Sequence, residues 1–176
     1  MTIDLEPKVR IIESFVSEPD RLFSQLRDMV PWDERMRARK TASYGVSYDY
    51  SGMTYPETGM LEELAEISEK ISKTIGFLPN NCLLNYYPDG KSTMGYHSDS
   101  SEELLPGTGV VIVSLGAERH IWYRLKADQD ITWRYLLKAG ALLYMDNDIQ
   151  KHWMHAIKKE ENVGARISLT FRHIVK

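Results

Sequence analysis

The chain is short of several things, and each shortage excludes something. It has one cysteine, Cys82, in 176 residues. A lone thiol forms no intramolecular disulfide and fits a reducing compartment. Between Asn81 and Leu83 in an apolar run, Cys82 reads as a small buried residue and not as a nucleophile. Long apolar runs are missing too. The longest, residues 110–115 and 139–145, fall far short of the roughly 20 residues that cross a bilayer as a helix. The opening stretch Met1, Thr2, Ile3, Asp4, Leu5, Glu6 is acidic and lacks a signal-peptide core, so a cytoplasmic protein with no membrane partner is expected. There is no excess of positive charge: the net charge of −3 exerts no global pull on nucleic acid. Repeats, low-complexity tracts and linkers are absent as well. What remains, 43% hydrophobic and 27% charged residues, suits one globular domain, expected to be monomeric.

Periodicity divides the chain in two. Residues 9–15 read as a strand. Ser17 is placed to cap a helix running to about Val30, with Pro19 in its first turn and Leu22, Phe23, Leu26 and Val30 at helical spacing. Residues 41–53, rich in Tyr, Ser and Gly, read as extended structure with turns. A second helix is expected over 60–75, its stripe formed by Met60, Leu64, Ile67, Ile71 and Ile75, with Gly76 as C-terminal cap. Beyond Gly76 come short strand-like runs at 82–87, 94–97, 110–115, 120–125, 132–137, 141–145, 152–157 and 166–175, separated by turn signals such as Pro88-Asp89-Gly90. The expected fold class is α+β, mainly β: an antiparallel jelly roll with two N-terminal helices packed outside.

Three residues stand out against this frame. His97 and Asp99 are two apart, so on a strand both side chains point to one face, with Ser98 opposite. A third metal ligand has two candidates, His152 and His155. Two imidazoles and a carboxylate are the ligand set of a non-haem Fe(II) oxygenase, which leaves one face of the metal open. A catalytic zinc site also uses three protein ligands, so the ligands alone leave a hydrolase open. The run 166–172 narrows the choice. It alternates without a break, Arg166, Ser168, Thr170 and Arg172 on one face and Ile167, Leu169 and Phe171 on the other. Two buried cations need anionic partners, either internal carboxylates or a small dicarboxylate gripped in bidentate fashion. Beside a facial triad, that strand points to 2-oxoglutarate.

Together the strings Asn85-Tyr86-Tyr87-Pro88-Asp89-Gly90, Met94-Gly95-Tyr96-His97-Ser98-Asp99, Val113-Ser114-Leu115-Gly116, Gly140 to Met145, His152 to Ile157 and Ala165 to Arg172 resemble the AlkB family of Fe(II)/2-oxoglutarate dioxygenases. Upstream, Arg39 to Gly45 and Tyr48-Asp49-Tyr50-Ser51-Gly52 resemble the substrate lid of its DNA-repair branch. The resemblance runs in order over about residues 35–175. It implies a double-stranded β-helix core over 76–176, with helices and lid over 1–75. It implies iron on His97, Asp99 and His155, with His152 outside the ligand set. It implies 2-oxoglutarate held by Asn85, Tyr87, Arg166 and Arg172, with Ser168 where an Asn is common. In that family O₂ and 2-oxoglutarate become succinate and CO₂, and an N-methyl group on a base leaves as formaldehyde.

The implied substrate is an alkylated nucleic acid, with Tyr48, Tyr50 and Ser51 at lid positions that contact the base. Arg35, Arg37, Arg39 and Lys40 lie beside the lid, either to grip phosphates or as a solvated run balanced by Asp33 and Glu34. One position departs from the family. Ser101 stands two residues after Asp99, where an acidic residue often helps to read the damaged base, and Glu102 and Glu103 follow it. With the net charge, this keeps a second expectation open: the same chemistry on a free nucleotide or other small metabolite. A catalytically silent nucleic-acid-binding module is the third, against which the intact triad and both arginines argue.

Overall fold

A computed structural model describes residues 5–175, so the first four residues of the acidic opening stretch lie outside it. In chain order the elements are β1 (Arg10–Ile12), α1 (Pro19–Met29), β2 (Lys40–Gly45), β3 (Tyr48–Tyr50), β4 (Met53–Tyr55), α2 (Glu62–Ile75), β5 (Asn81–Tyr87) and β6 (Met94–His97). Then follow β7 (Val110–Gly116), β8 (Arg119–Leu125), β9 (Thr132–Leu137), β10 (Leu142–Met145), α3 (Asn147–His152), β11 (Trp153–Ile157) and β12 (Arg166–Arg172). Six strands form one antiparallel sheet in the order β1-β10-β7-β12-β5-β2; four form a second, β6-β11-β8-β9; β3 and β4 pair as a separate hairpin.

Alternation along the central strands builds two cores. On one face of the larger sheet Val111, Val113, Leu115, Ile167, Leu169 and Phe171 meet Leu22 and Leu26 of α1 and Leu64, Ile67 and Ile71 of α2. On the other face Ile112, Leu143, Met145 and Tyr87 meet Ile121, Tyr123 and Leu125 of β8 and Trp153 and Ile157 of β11. The molecule is therefore a helical layer, a large sheet and a small sheet, and the gap between the sheets is where β12 turns its polar face. Both helices pack outside the sheets, as their spacing predicts. Leu26, Leu64 and Ile71 are wholly buried, and truncating such a residue to Ala costs about 2–5 kcal/mol.

Several expected boundaries move. The first strand shrinks to Arg10–Ile12. The N-cap of α1 is Glu18, with no side-chain cap bond, so Ser17 does not cap it. Gly76 does close α2, at φ 105°, its N–H donating to Ser72 O at 3.1 Å. In the hairpin, Ser51 and Gly52 both have positive φ (50° and 77°), the turn that matches the twist of a two-stranded ribbon. The short helix α3 is unforeseen; Asp146 caps it by accepting from Ile149 N at 3.0 Å. It takes His152 out of the strand expected there. Nor does the larger sheet respect a division at residue 75, because β1 and β2 form its two edges. Among the described residues, no helix is long and apolar enough to cross a membrane.

Candidate active site

The edge of the small sheet assembles the cluster. β6 pairs with β11 so that His97 lies opposite His155, with ring centroids 4.3 Å apart. Asp99 comes just after β6 and not within it, yet its carboxylate still turns to the same side: Oδ1 is 3.6 Å from His97 Nε2 and Oδ2 is 3.8 Å from His155 Nε2. Ser98 turns away, donating to Trp153 O at 2.9 Å. One ligand atom from each of His97, Asp99 and His155 lies within 4.8 Å of the others, so the three could hold one metal ion. His152 ends α3 with Nδ1 at 3.0 Å from Asp148 O and takes no part.

The environment sets each group's charge. Burial pushes His155 down to about 4, so its imidazole is neutral with a lone pair to offer. Burial also opposes charge on His97, but the hydrogen bond and charge of Asp99 outweigh it and raise the imidazole above its ordinary value. His97 Nδ1 lies 2.8 Å from Gly95 O; protonated there, it donates and leaves Nε2 toward the cluster. Burial would raise Asp99, yet the Arg172 guanidinium, then His97 and His155, hold it well below the usual carboxylate range. Arg172 Nη2 is 3.3 Å from Asp99 Oδ1. Gln150 of α3 accepts from Asp99 N at 2.9 Å and brings Nε2 within 3.5 Å of Oδ2, so the carboxylate is steadied at its backbone as well.

Behind the cluster is an inner pocket. Register explains its lining: on the inward face Tyr87 is opposite Arg166 and Asn85 opposite Ser168 across β5 and β12. Arg166, Ser168, Thr170 and Arg172 all line it, with Asn85 and Tyr87. Arg166 donates through Nε to Ser114 Oγ at 2.8 Å, and its guanidinium carbon sits 5.2 Å over the Tyr87 ring. Arg166 Nη1 and Arg172 Nε and Nη1 are buried with no hydrogen-bond partner among the described residues.

An outer cleft opens past the cluster, lined by Tyr48, Tyr50 and Ser51 of the hairpin together with Tyr96, His97, Asp99 and Ser100. The two lid tyrosines stack at 6.4 Å. Ser101 is exposed and is not among the cleft-lining residues; Ser100 takes that place. The expectation placed Ser101 beside the base; of the two serines it is Ser100 that lines the cleft. The basic run divides. Arg35 pairs with Asp33 and Lys40 with Glu34 on the surface. Arg39 turns in, is 6% exposed, and donates to Asn85 Oδ1 at 2.8 Å, to Thr93 O at 2.9 Å and to the Tyr50 hydroxyl. Gln150 is a site residue that sequence reasoning missed, and Arg39, read in the basic run as a phosphate grip or a solvated cation, turns into the site instead. For Gln150 the only signal is the Asp146 cap of its helix.

The family described as the 2OG-Fe(II) oxygenase superfamily matches residues 10–172. Human "DNA oxidative demethylase ALKBH2" is 34% identical over 148 residues, which cover 78% of this chain and 57% of that protein. The mouse protein of the same name is 30% identical over 183 residues, covering 90% and 76%. Rat "Alpha-ketoglutarate-dependent dioxygenase alkB homolog 3" is 30% identical over 179 residues, covering 90% and 61%. The chain spans only 57% and 53% of the human and bovine ALKBH2 proteins. A solved structure described as "The structure of OsALKBH1" superimposes with a TM-score of 0.72 over 97% of this chain and 100% of that one, at 16% identity, a likeness of fold. With the described cluster and strand order, these matches make the chain a member of the 2OG-Fe(II) oxygenase superfamily, among its AlkB-like proteins.

Proposed function

We propose that this protein is an Fe(II)- and 2-oxoglutarate-dependent dioxygenase that removes alkyl groups from the nitrogens of nucleobases in DNA or RNA. One observation carries the reading: His97 and Asp99 of a His-Asp-His cluster line both an inner pocket holding two buried guanidiniums and an outer cleft lidded by tyrosines. In this reading His97, Asp99 and His155 hold the iron. The donor set fits, with His155 neutral and Asp99 ionised. The chemistry of the inner pocket suits a dicarboxylate, because Arg166 and Arg172 keep buried N–H donors that nothing in the described chain satisfies. Arg166 takes the distal carboxylate, with Tyr87, Asn85 and Ser168 around the chain of the co-substrate. Arg172 faces the end nearer the metal while keeping Asp99 ionised.

Iron, O₂ and 2-oxoglutarate together supply the oxidising equivalent: the co-substrate becomes succinate and CO₂, and one oxygen atom enters a C–H bond of the alkyl group. For a methyl group the product is N–CH₂OH. Its N–C bond then breaks, the hydroxyl proton passes to the base nitrogen, and formaldehyde leaves. The protein's task is to put that one C–H bond beside the metal and keep others away. Tyr48 and Tyr50 offer faces for a base flipped from its stack, each such contact contributing about 1–3 kcal/mol. Ser51 holds the hairpin turn that presents them. The enzyme acts as one domain and a monomer in the cytoplasm, where Cys82 and ferrous iron stay reduced.

A specific observation favours a second substrate, a free nucleotide or small metabolite. Arg39 stands in the cleft wall bonded only to neutral acceptors, a cation placed to meet the phosphate of a small nucleotide, while among the described residues the one cleft carboxylate outside the metal cluster is Asp49 of the hairpin. The test offers N1-methyladenine and N3-methylcytosine in oligonucleotides and as mononucleotides, with Fe(II), ascorbate and 2-oxoglutarate. Dealkylated oligonucleotide with formaldehyde is the expected result. Turnover of mononucleotides alone transfers the chemistry to the second substrate, and turnover of neither contradicts both.

A further inference from the structure

The outer face of the small sheet meets the site above only at Tyr96, and its side chains form one continuous stack. Along β8, Ile121, Tyr123 and Leu125 are buried while His120, Trp122 and Arg124 are part-exposed on the opposite face. Trp122 is opposite Arg134 of β9, and Arg124 is opposite Met154 of β11. The Arg134 guanidinium carbon lies 5.3 Å over the Trp122 ring, and Lys158 Nζ lies 4.0 Å from the same ring. Lys158 also reaches Tyr96 at 5.4 Å, and Arg124 lies 4.1 Å over Tyr96. Three cations thus lie over two aromatic rings.

Charge and position both give this stack meaning. Among the described residues no carboxylate lies within ion-pair distance of Arg124, Arg134 or Lys158, so the three cations that share these two rings are without an acidic partner. Glu160, two residues after Lys158, is bonded to His120 at 3.1 Å. On a chain of net charge −3, three neighbouring cations without an acidic partner, interleaved with aromatic rings, have the chemistry of a polyanion site. Tyr96 belongs to the edge strand and also lines the outer cleft. From there three strand spacings of about 4.8 Å lead to β9, a track of about 14 Å. The rings hold the long side chains in place, so less rotamer freedom is lost when an anion arrives.

We propose that this face binds the phosphates of the nucleic-acid strand that carries the target base, with Arg124, Arg134 and Lys158 as the contacts. The inference rests on the nucleic-acid reading of the cleft. Its test is the binding of a short fluorescent single-stranded oligonucleotide across a salt series by the full chain and by Arg134→Gln/Lys158→Gln, with thermal unfolding to verify the fold. The variant is expected to bind more weakly, and its slope of log affinity against log salt to be shallower by about 1.4, two contacts at about 0.7 each. Each single variant shows half of that. Arg21→Gln/Lys73→Gln, an equal charge change on the helical layer, keeps the wild-type slope. Oligonucleotides dealkylated with identical slopes in both proteins overturn the surface and leave the cleft reading standing. A wild type that oxidises mononucleotides but neither binds nor dealkylates oligonucleotides overturns both. Binding to anionic phospholipid vesicles without oligonucleotide binding overturns the surface in favour of a lipid partner.

Discussion

Arg172 Nη2 lies 3.3 Å from Asp99 Oδ1, and the two side chains are 3% and 9% exposed. This pair ties the strand of the inner pocket to the metal cluster, so one guanidinium serves both. It also keeps Asp99 ionised before any metal arrives. Removing one partner of a buried pair leaves the other charge stranded, at a cost of about 3–5 kcal/mol. Arg172→Met is therefore expected to lower unfolding free energy by that order in urea titrations. Adding Asp99→Asn to it recovers part of the loss. Equal losses in single and double variants contradict the pairing.

Gln150 accepts from Asp99 N at 2.9 Å and contributes no ligand atom of its own. Groups that orient a metal ligand typically affect metal affinity by about 10–100-fold. Gln150→Leu is expected to weaken Mn(II) binding, a stable stand-in for ferrous iron, within that range while leaving thermal stability close to wild type. Unchanged Mn(II) affinity removes Gln150 from the site.

Arg166 keeps Nη1 unpartnered behind the cluster. A charge-assisted pair with a carboxylate is worth about 1.5–3 kcal/mol, so Arg166→Ala raises the 2-oxoglutarate requirement roughly ten- to a hundredfold. A similar rise in the requirement for the base substrate instead shows that the residue serves the fold of the cleft and not the co-substrate.

How far this site could be seen from the residues depends on where the information lies. The two faces of β12 were legible because seven residues alternate without interruption and each face needs a different environment. His97 and Asp99 were legible as a pair, although Asp99 lies past the strand end. The choice between His152 and His155 was not settled by their own residues, and α3 settles the geometry by ending at His152 and releasing His155 inward on β11. A six-residue helix makes fewer than two turns, too few for a period, so Gln150 went unseen with it. Arg39 sat inside a basic run that reads either as a phosphate grip or as a solvated face, and its inward turn depends on Asn85, which lies 46 positions away. Ser101 took its place from the resemblance, which counts two residues on from Asp99, and in the structure its neighbour Ser100 lines the cleft.

His155 also predicts how the metal-free protein responds to acid. In the unfolded chain a histidine titrates near 6.5, whereas burial pushes this one down to about 4 in the fold. The unfolded state therefore gains the proton first. The stability linked to His155 is complete above about 6.5 and is lost as pH falls toward 4. The lowered Asp99 loses stability in the same direction at more acidic pH, while the raised His97 acts in the opposite sense. Urea titrations of metal-free protein over this window are expected to give a flatter profile for His155→Gln than for wild type. Parallel profiles contradict the buried neutral imidazole.

The measurement that reaches the centre of the account is the stoichiometry of succinate and formaldehyde released from a methylated oligonucleotide under air with Fe(II), ascorbate and 2-oxoglutarate. It is made on wild type, His155→Ala and His152→Ala. The account predicts equal amounts of the two products from wild type, neither from His155→Ala, and most of the wild-type yield from His152→Ala, whose ring lies outside the cluster. Succinate without formaldehyde, or equal loss in the two variants, contradicts it.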